Sequence, residues 1–142
     1  MATTINRYLS YPASAAGITR ASSGSAWGTG SVWTEVVPVN TITATFYIAG
    51  LTWMWWTPPV AADTTYEIVL GLGTGGAGAE VEKIQVPASM RGDTLAGYMP
   101  SNIVIFPEPM QVAANTRVAV KLYYGVAASV TVSAIKILYQ TA

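Results

Sequence analysis

With 142 residues, seven basic and seven acidic side chains, and 51% apolar residues, the chain suits one domain built on one core. Charged residues are only 10% against a usual ~25%, so the exterior must be Ser, Thr, Gly and Ala or else be covered by other protein. The even charge balance excludes the basic footprint by which proteins hold phosphate backbones, and nucleic acid is not an expected partner. Cysteine and histidine are both absent. That removes disulfides, thiol nucleophiles and thiolate ligands, together with the commonest general base and metal ligand. No catalytic residue, no metal site and no cofactor is expected, and the protein reads as a non-enzyme. The opening MATTINRYLSYPASAAG has no apolar h-region, and no run of about 18 uncharged apolar residues occurs, so a soluble product made without a signal peptide and without a membrane partner is expected.

Residues 1–30 are rich in Ala, Ser, Thr and Gly, hold no acidic residue, and show neither helical nor alternating period. Such a segment cannot bury enough surface to order itself. Yet it carries Tyr8, Tyr11, Pro12, Ile18 and Trp27, with Arg7 and Arg20 making it positive. Two readings stand. One is a disordered tail; the other is an extended arm ordered on a neighbour, with Arg7, Tyr8, Tyr11, Arg20 and Trp27 as its contacts.

The body, residues 31–142, reads as strands throughout. SVWTEVVP is β-branched and aromatic, a first strand. Residues 41–49 then alternate, with Ile42, Ala44, Phe46 and Ile48 on one face and Thr41, Thr43, Thr45 and Tyr47 on the wet one. At Gly50 the phase shifts to Leu51, Trp53 and Trp55, which predicts a bend or bulge there, and Pro58-Pro59 stops the strand. Residues 66–72 and 80–86 form a long hairpin around the glycine tract that begins at Gly73. Residues 88–100 read as a loop long enough to be functional. In NIVIFPEPM the prolines Pro107 and Pro109 cannot donate to a ladder and mark a strand end or edge, a corner where the chain leaves one sheet for another. A turn at Ala113-Ala114-Asn115-Thr116 leads into a strand with Val118, Val120 and Leu122 inward and Arg117, Ala119, Lys121 and Tyr123 toward water. The last strand, within 128–140, changes parity near Ser133-Ala134, which predicts another bulge. Seven or eight short strands with no helical period mean an all-β antiparallel sandwich, a jelly roll or a barrel.

Three constellations invite chemistry. Gly71-Leu72-Gly73-Thr74-Gly75-Gly76 matches G-x-G-x-x-G, but the motif needs a helix N-terminus and a strand follows. Glu80 and Glu82 share a strand face as paired carboxylates would, although a solvated strand end explains them as well. Trp53-Met54-Trp55-Trp56 is the informative cluster, because in a strand Trp53 and Trp55 face one way while Met54 and Trp56 face the other. A subunit interface, a sugar-stacking platform and a thick core are the three readings, with the interface first because tryptophan is enriched at interface hot spots.

The segments TTYEIVLGLGTGGAGAEVEKIQVP, GYMPSNIVIFPEPMQVAANTRVAVKLYYG and VTVSAIKILYQ resemble a group of small all-β structural proteins of tailed bacteriophages. The likeness covers about residues 64–139 and lies in the glycine-rich hairpin, the PEP corner and the ANTRVAV strand. It implies a jelly-roll virion component assembled in the host cytoplasm. The first expectation from this likeness is a capsid decoration (cement) protein, a homotrimer with extended arms bound to the major capsid protein. The alternative is a structural or carbohydrate-binding module of a tail, baseplate or spike, with a glycan as partner. Nothing catalytic is carried over, and residues 1–30 and the WMWW cluster lie outside the likeness.

Overall fold

The computed structural model describes residues 8–13, 19–22, 32–55, 64–74, 76, 78–90, 101–124 and 131–142. These form an all-β sandwich of two antiparallel sheets. Nine strands are present among them: β1 (Leu9–Tyr11), β2 (Thr19–Ser22), β3 (Thr34–Val37), β4 (Phe46–Trp55), β5 (Thr64–Gly73), β6 (Val81–Met90), β7 (Ser101–Val112), β8 (Arg117–Tyr124) and β9 (Thr131–Thr141). The five-stranded sheet runs β1-β9-β4-β7, with β2 also on β9; the four-stranded sheet runs β3-β8-β5-β6. Among the described strands, only β5 and β6 are sequence neighbours that pair with each other.

Each sheet turns one apolar face inward. Phe46, Ile48, Leu51, Trp53, Ile135 and Ile137 come from the five-stranded sheet and Tyr66, Ile68, Leu70, Val118, Val120 and Leu122 from the other, all buried in one core. At ~25 cal/mol per Å² of apolar surface, such faces supply the main favourable term of folding. A hydrogen bond crosses between the sheets: Trp53 Nε1 donates to the Tyr66 hydroxyl at 2.9 Å, with both residues about 1% exposed. Buried polar atoms need such partners, and this one also fixes how the sheets lie on each other.

The predicted irregularities coincide with register shifts. At Gly50 both neighbours of β4 slip, since pairing passes from Ile48 to Gly50 and leaves Ala49 bulged. A Cβ on Gly50 would run into the Val104 carbonyl oxygen of β7, so glycine is required for that close approach. Near the predicted Ser133-Ala134 position, Thr52 pairs with Lys136 and Met54 with Ser133, and Ala134 takes a positive φ of 51°. The turn at 113–116 holds Asn115 at φ 63°, a left-handed conformation that asparagine tolerates, and its amide donates to the Ile42 carbonyl at 2.8 Å.

Elsewhere the expectations need correction. Residues 41–45 are turns and bends, and the strand begins only at Phe46. The expected loop at 88–100 is strand as far as Met90, carried on by pairing with Thr64 and Thr65 across the hairpin; 91–100 lie outside the described residues. Pro107 and Pro109 do not take the chain out of the sheet. They sit in β7, an edge strand, where Phe106–Pro109 bulge opposite Ala49 before pairing resumes at Met110. An edge tolerates residues that cannot donate, so a bulge is enough. Within 1–30, β1 and β2 lie antiparallel on the body's own β9, so at these two stretches the chain is sheet edge rather than an arm laid on a neighbour.

Candidate interaction surface

The outer faces of the two sheets are the places where a partner can be met. On the four-stranded sheet the expected wet residues of β8 are covered by the chain itself. Arg117 is 5% exposed and Ala119 is fully buried, contrary to the reading that both face water. The hairpin connection reaches back to Arg117 through Gly76 and Glu80, and Ala119 pairs with Gly71, over which Trp33 lies. Arg117 Nε and Nη2 converge on Glu80 Oε1 at 2.7 and 2.6 Å, and Nη2 also donates to the Gly76 carbonyl at 2.6 Å. The other Glu80 oxygen accepts from the Gly78 amide at 2.8 Å, and Glu35 of β3 stands 4.0 Å from Arg117. One guanidinium therefore ties a loop, a strand end and an edge strand together. Buried charges are tolerated when satisfied in this way.

Beside that cluster, the indole of Trp33 lies over Gly71, where any Cβ would overlap the ring. Lys121 Nζ sits 4.4 Å from the Trp33 ring centroid and 2.6 Å from Glu82 Oε1, while the Tyr123 hydroxyl donates to the same carboxylate oxygen at 3.3 Å. The hydrogen bond from Lys121 holds the Glu82 carboxyl below its ordinary 4.5. Burial alone would pull Lys121 down, but its bonds to Glu82 and Tyr123 leave the ammonium above its ordinary 10.5. Glu80 and Glu82 thus each hold a different cation and do not act as a carboxylate pair. Among the described residues no group of three or more acidic side chains gathers into a metal cage. The glycine motif leads from strand β5 into strand β6, with no helix N-terminus to receive a pyrophosphate.

The five-stranded sheet presents a different outer face. Ile103 and Ile105 on β7 are 63% and 53% exposed, and Met54 on β4 is 36% exposed. The register places Ile105, Gly50 and Leu138 in one cross-strand row and Ile103, Thr52 and Lys136 in the next. Lys136 is the one charged side chain in these two rows. Singly exposed apolar residues are ordinary, but a contiguous group on a sheet face marks an interaction site.

Of the residues that the sequence singled out, Met54 belongs to this face, as its parity requires. Trp53 does not: it is a core residue bonded to Tyr66, and its reading as an interface residue is corrected accordingly. Trp55 pairs with Val132 through its backbone, its side chain lying outside the described residues, as Trp56 does altogether. Tyr11 packs against the chain's own core, while Tyr8 is exposed. The backbone of Arg20 lies in β2; its side chain, and Arg7 and Trp27, are outside the description. Sequence reasoning missed Ile103 and Ile105. Their alternation with Val104 was visible, but the sheet's outer side could not be told from its inner one without the register. The chain matches no protein-family model and no curated protein.

Proposed function

We propose that the protein is a non-enzymatic structural component of a phage virion, a capsid decoration protein that seats the outer face of its five-stranded sheet on the major capsid protein. The observation that carries the attachment surface is the contrast in cover. The chain closes over one outer face with Trp33, Lys121 and Arg117 and leaves Ile103 and Ile105 of the other more than half exposed. Attachment by shape and apolar burial needs such a face, and it suits a chain with 10% charged residues. Further support comes from the connectivity. With β1 and β2 counted as one edge element, eight strands are dealt between two sheets, the arrangement expected of a jelly roll. The virion setting itself comes from the resemblance of residues 64–139. The non-enzymatic reading is supported by Glu80 and Glu82, each already engaged with a cation.

The test is co-sedimentation of the purified protein with heads of the phage that encodes it. Saturable binding that Ile103→Lys weakens is the expected result. Absence of binding to heads, or binding that the lysine leaves unchanged, overturns the reading.

A further inference from the structure

A sheet edge exposes unpaired backbone groups, and proteins guard edges with short strands, charges, prolines or bulges. Among the described strands, three of the edges follow that practice. β1 and β2 are three and four residues long, and β3 is four residues with Glu35 in it. β6 carries Glu82, Lys83 and Pro87, and its register shifts so that Lys83 bulges between the pairs Leu70–Ile84 and Gly71–Glu82.

β7 is divided. From Phe106 onward it has the four-residue bulge, two prolines and Glu108. Asn102–Ile105, NIVI, has neither a charge nor a proline and pairs in unbroken register with Gly50–Trp53. This unguarded segment also carries the two most exposed residues of the open face, Ile103 and Ile105.

We propose that Ile103–Ile105 pairs antiparallel with the same residues of a second copy of the chain, about a two-fold axis at Val104. In that register Ile103 of each copy stands opposite Ile105 of the other, and Val104 stands opposite itself. Four β-branched side chains then meet on the outer face, the cross-strand pairing that sheets favour. The bulge that begins at Phe106, with Pro107 lacking an N–H behind it, ends the pairing at both limits. The segment is its own complement, which is the argument for a second copy over a foreign strand: it is neutral, alternating and free of any charge that a two-fold would set against itself. The Lys136 residues of the two copies would lie about five strand spacings apart, roughly 24 Å, well beyond the ~8 Å over which salt lets charges repel. Three paired residues per copy make a small interface, of the class below ~1,200 Å² that forms weak associations. The structure therefore assigns a concentration-dependent dimer, in place of the trimer that the resemblance implies. This inference does not rest on the virion reading, and it is tested on purified protein alone.

Because the chain has no cysteine, single Ile103→Cys and Ile105→Cys variants report the register directly. Side chains directly opposite have Cβ atoms about 4.5–5.5 Å apart, near disulfide range, whereas diagonal neighbours are ~7–8 Å apart. Under mild oxidation the two variants mixed should cross-link several-fold faster than either alone. Sedimentation from about 10 μM to about 1 mM should show a monomer–dimer equilibrium, weakened about ten-fold or more by Ile105→Lys at unchanged melting temperature. A wild-type monomer at ~1 mM, an odd-numbered oligomer, equal cross-linking in all three samples, or a lysine variant that still dimerises overturns the proposal. Should Ile105→Lys fail to fold, the cysteine pattern alone decides.

Discussion

On the outer face of the four-stranded sheet, Trp33 lies across Gly71 and Arg117 is sealed under the hairpin connection; on the outer face of the five-stranded sheet, Ile103 and Ile105 stand in water. Both faces are built from strands that alternate in the ordinary way. What differs is the cover: one face has a tryptophan and a glycine-rich loop within reach, and the other has none among the described residues. Alternation tells which side chains share a face, but whether that face is wet depends on what else the chain can lay upon it. The face closed from within holds polar clusters satisfied internally, and the face left open exposes Ile103 and Ile105 beside Thr52 and Lys136.

The sharpest way to break this contrast is to open the closed face. Arg117→Ala leaves the Glu80 carboxylate, whose side chain is 1% exposed, without its guanidinium, and should cost about 3–5 kcal/mol in urea unfolding. Replacing both, as Arg117→Leu with Glu80→Leu, should cost less than the single change, because no lone charge is left buried. Equal stability of Arg117→Ala and wild type would show that the cluster is not closed at all. Next in size, Gly71→Ala should displace the Trp33 ring and cost ~1–3 kcal/mol, with a red-shifted tryptophan emission as the ring meets water.

The Glu82–Lys121 pair sits at the margin of the closed face, 40% and 18% exposed, and its worth is under about 1 kcal/mol. Because the Glu82 carboxyl is held low, its contribution is present above pH 4.5 and fades as pH falls through the lowered value. Lys121 is held high, so its contribution is present below pH 10.5 and fades as pH rises through the raised value. Glu82→Gln should therefore be slightly less stable than wild type at pH 7 and converge with it in acid. A constant gap from pH 7 to pH 3 would refute the assignment. Smallest of all, Ile103→Ser on the open face should leave monomer stability within ~0.5 kcal/mol, since the side chain is already solvated.

The parts of this fold legible in the sequence were those with a local cause. Gly50 marked its bulge through the parity change from Ile48 to Leu51, and Asn115 marked a turn that needs positive φ. The sandwich followed from strand count and the want of helical period. The hidden parts depend on residues far apart. Arg117 looks like a wet strand end until Glu80, 37 residues away, closes on it. Trp53 looks like a surface anchor until Tyr66 supplies its hydrogen bond from the opposite sheet. The prolines of β7 were read as a corner because proline excludes a ladder bond without saying whether the strand departs or only bulges. The open face was illegible for the same reason: Ile103 and Ile105 carry no mark of which side of the sheet they occupy.

The place of β9 has a consequence for how the protein comes into being. β9 is synthesised after the other eight described strands, yet it lies in the interior of its sheet, between β4 on one side and β1 and β2 on the other. Until it leaves the ribosome, β4 lacks its inner partner, and β1 and β2 have nothing to pair with. At ~5–20 residues per second, seconds pass between the emergence of β1 and the arrival of the strand that receives it. The order of synthesis thus runs against the order of assembly, and nascent chains should become resistant to protease abruptly, only once residues 131–141 have cleared the exit tunnel. Resistance gained in steps as each earlier strand emerges would show that part of the sandwich forms without its middle.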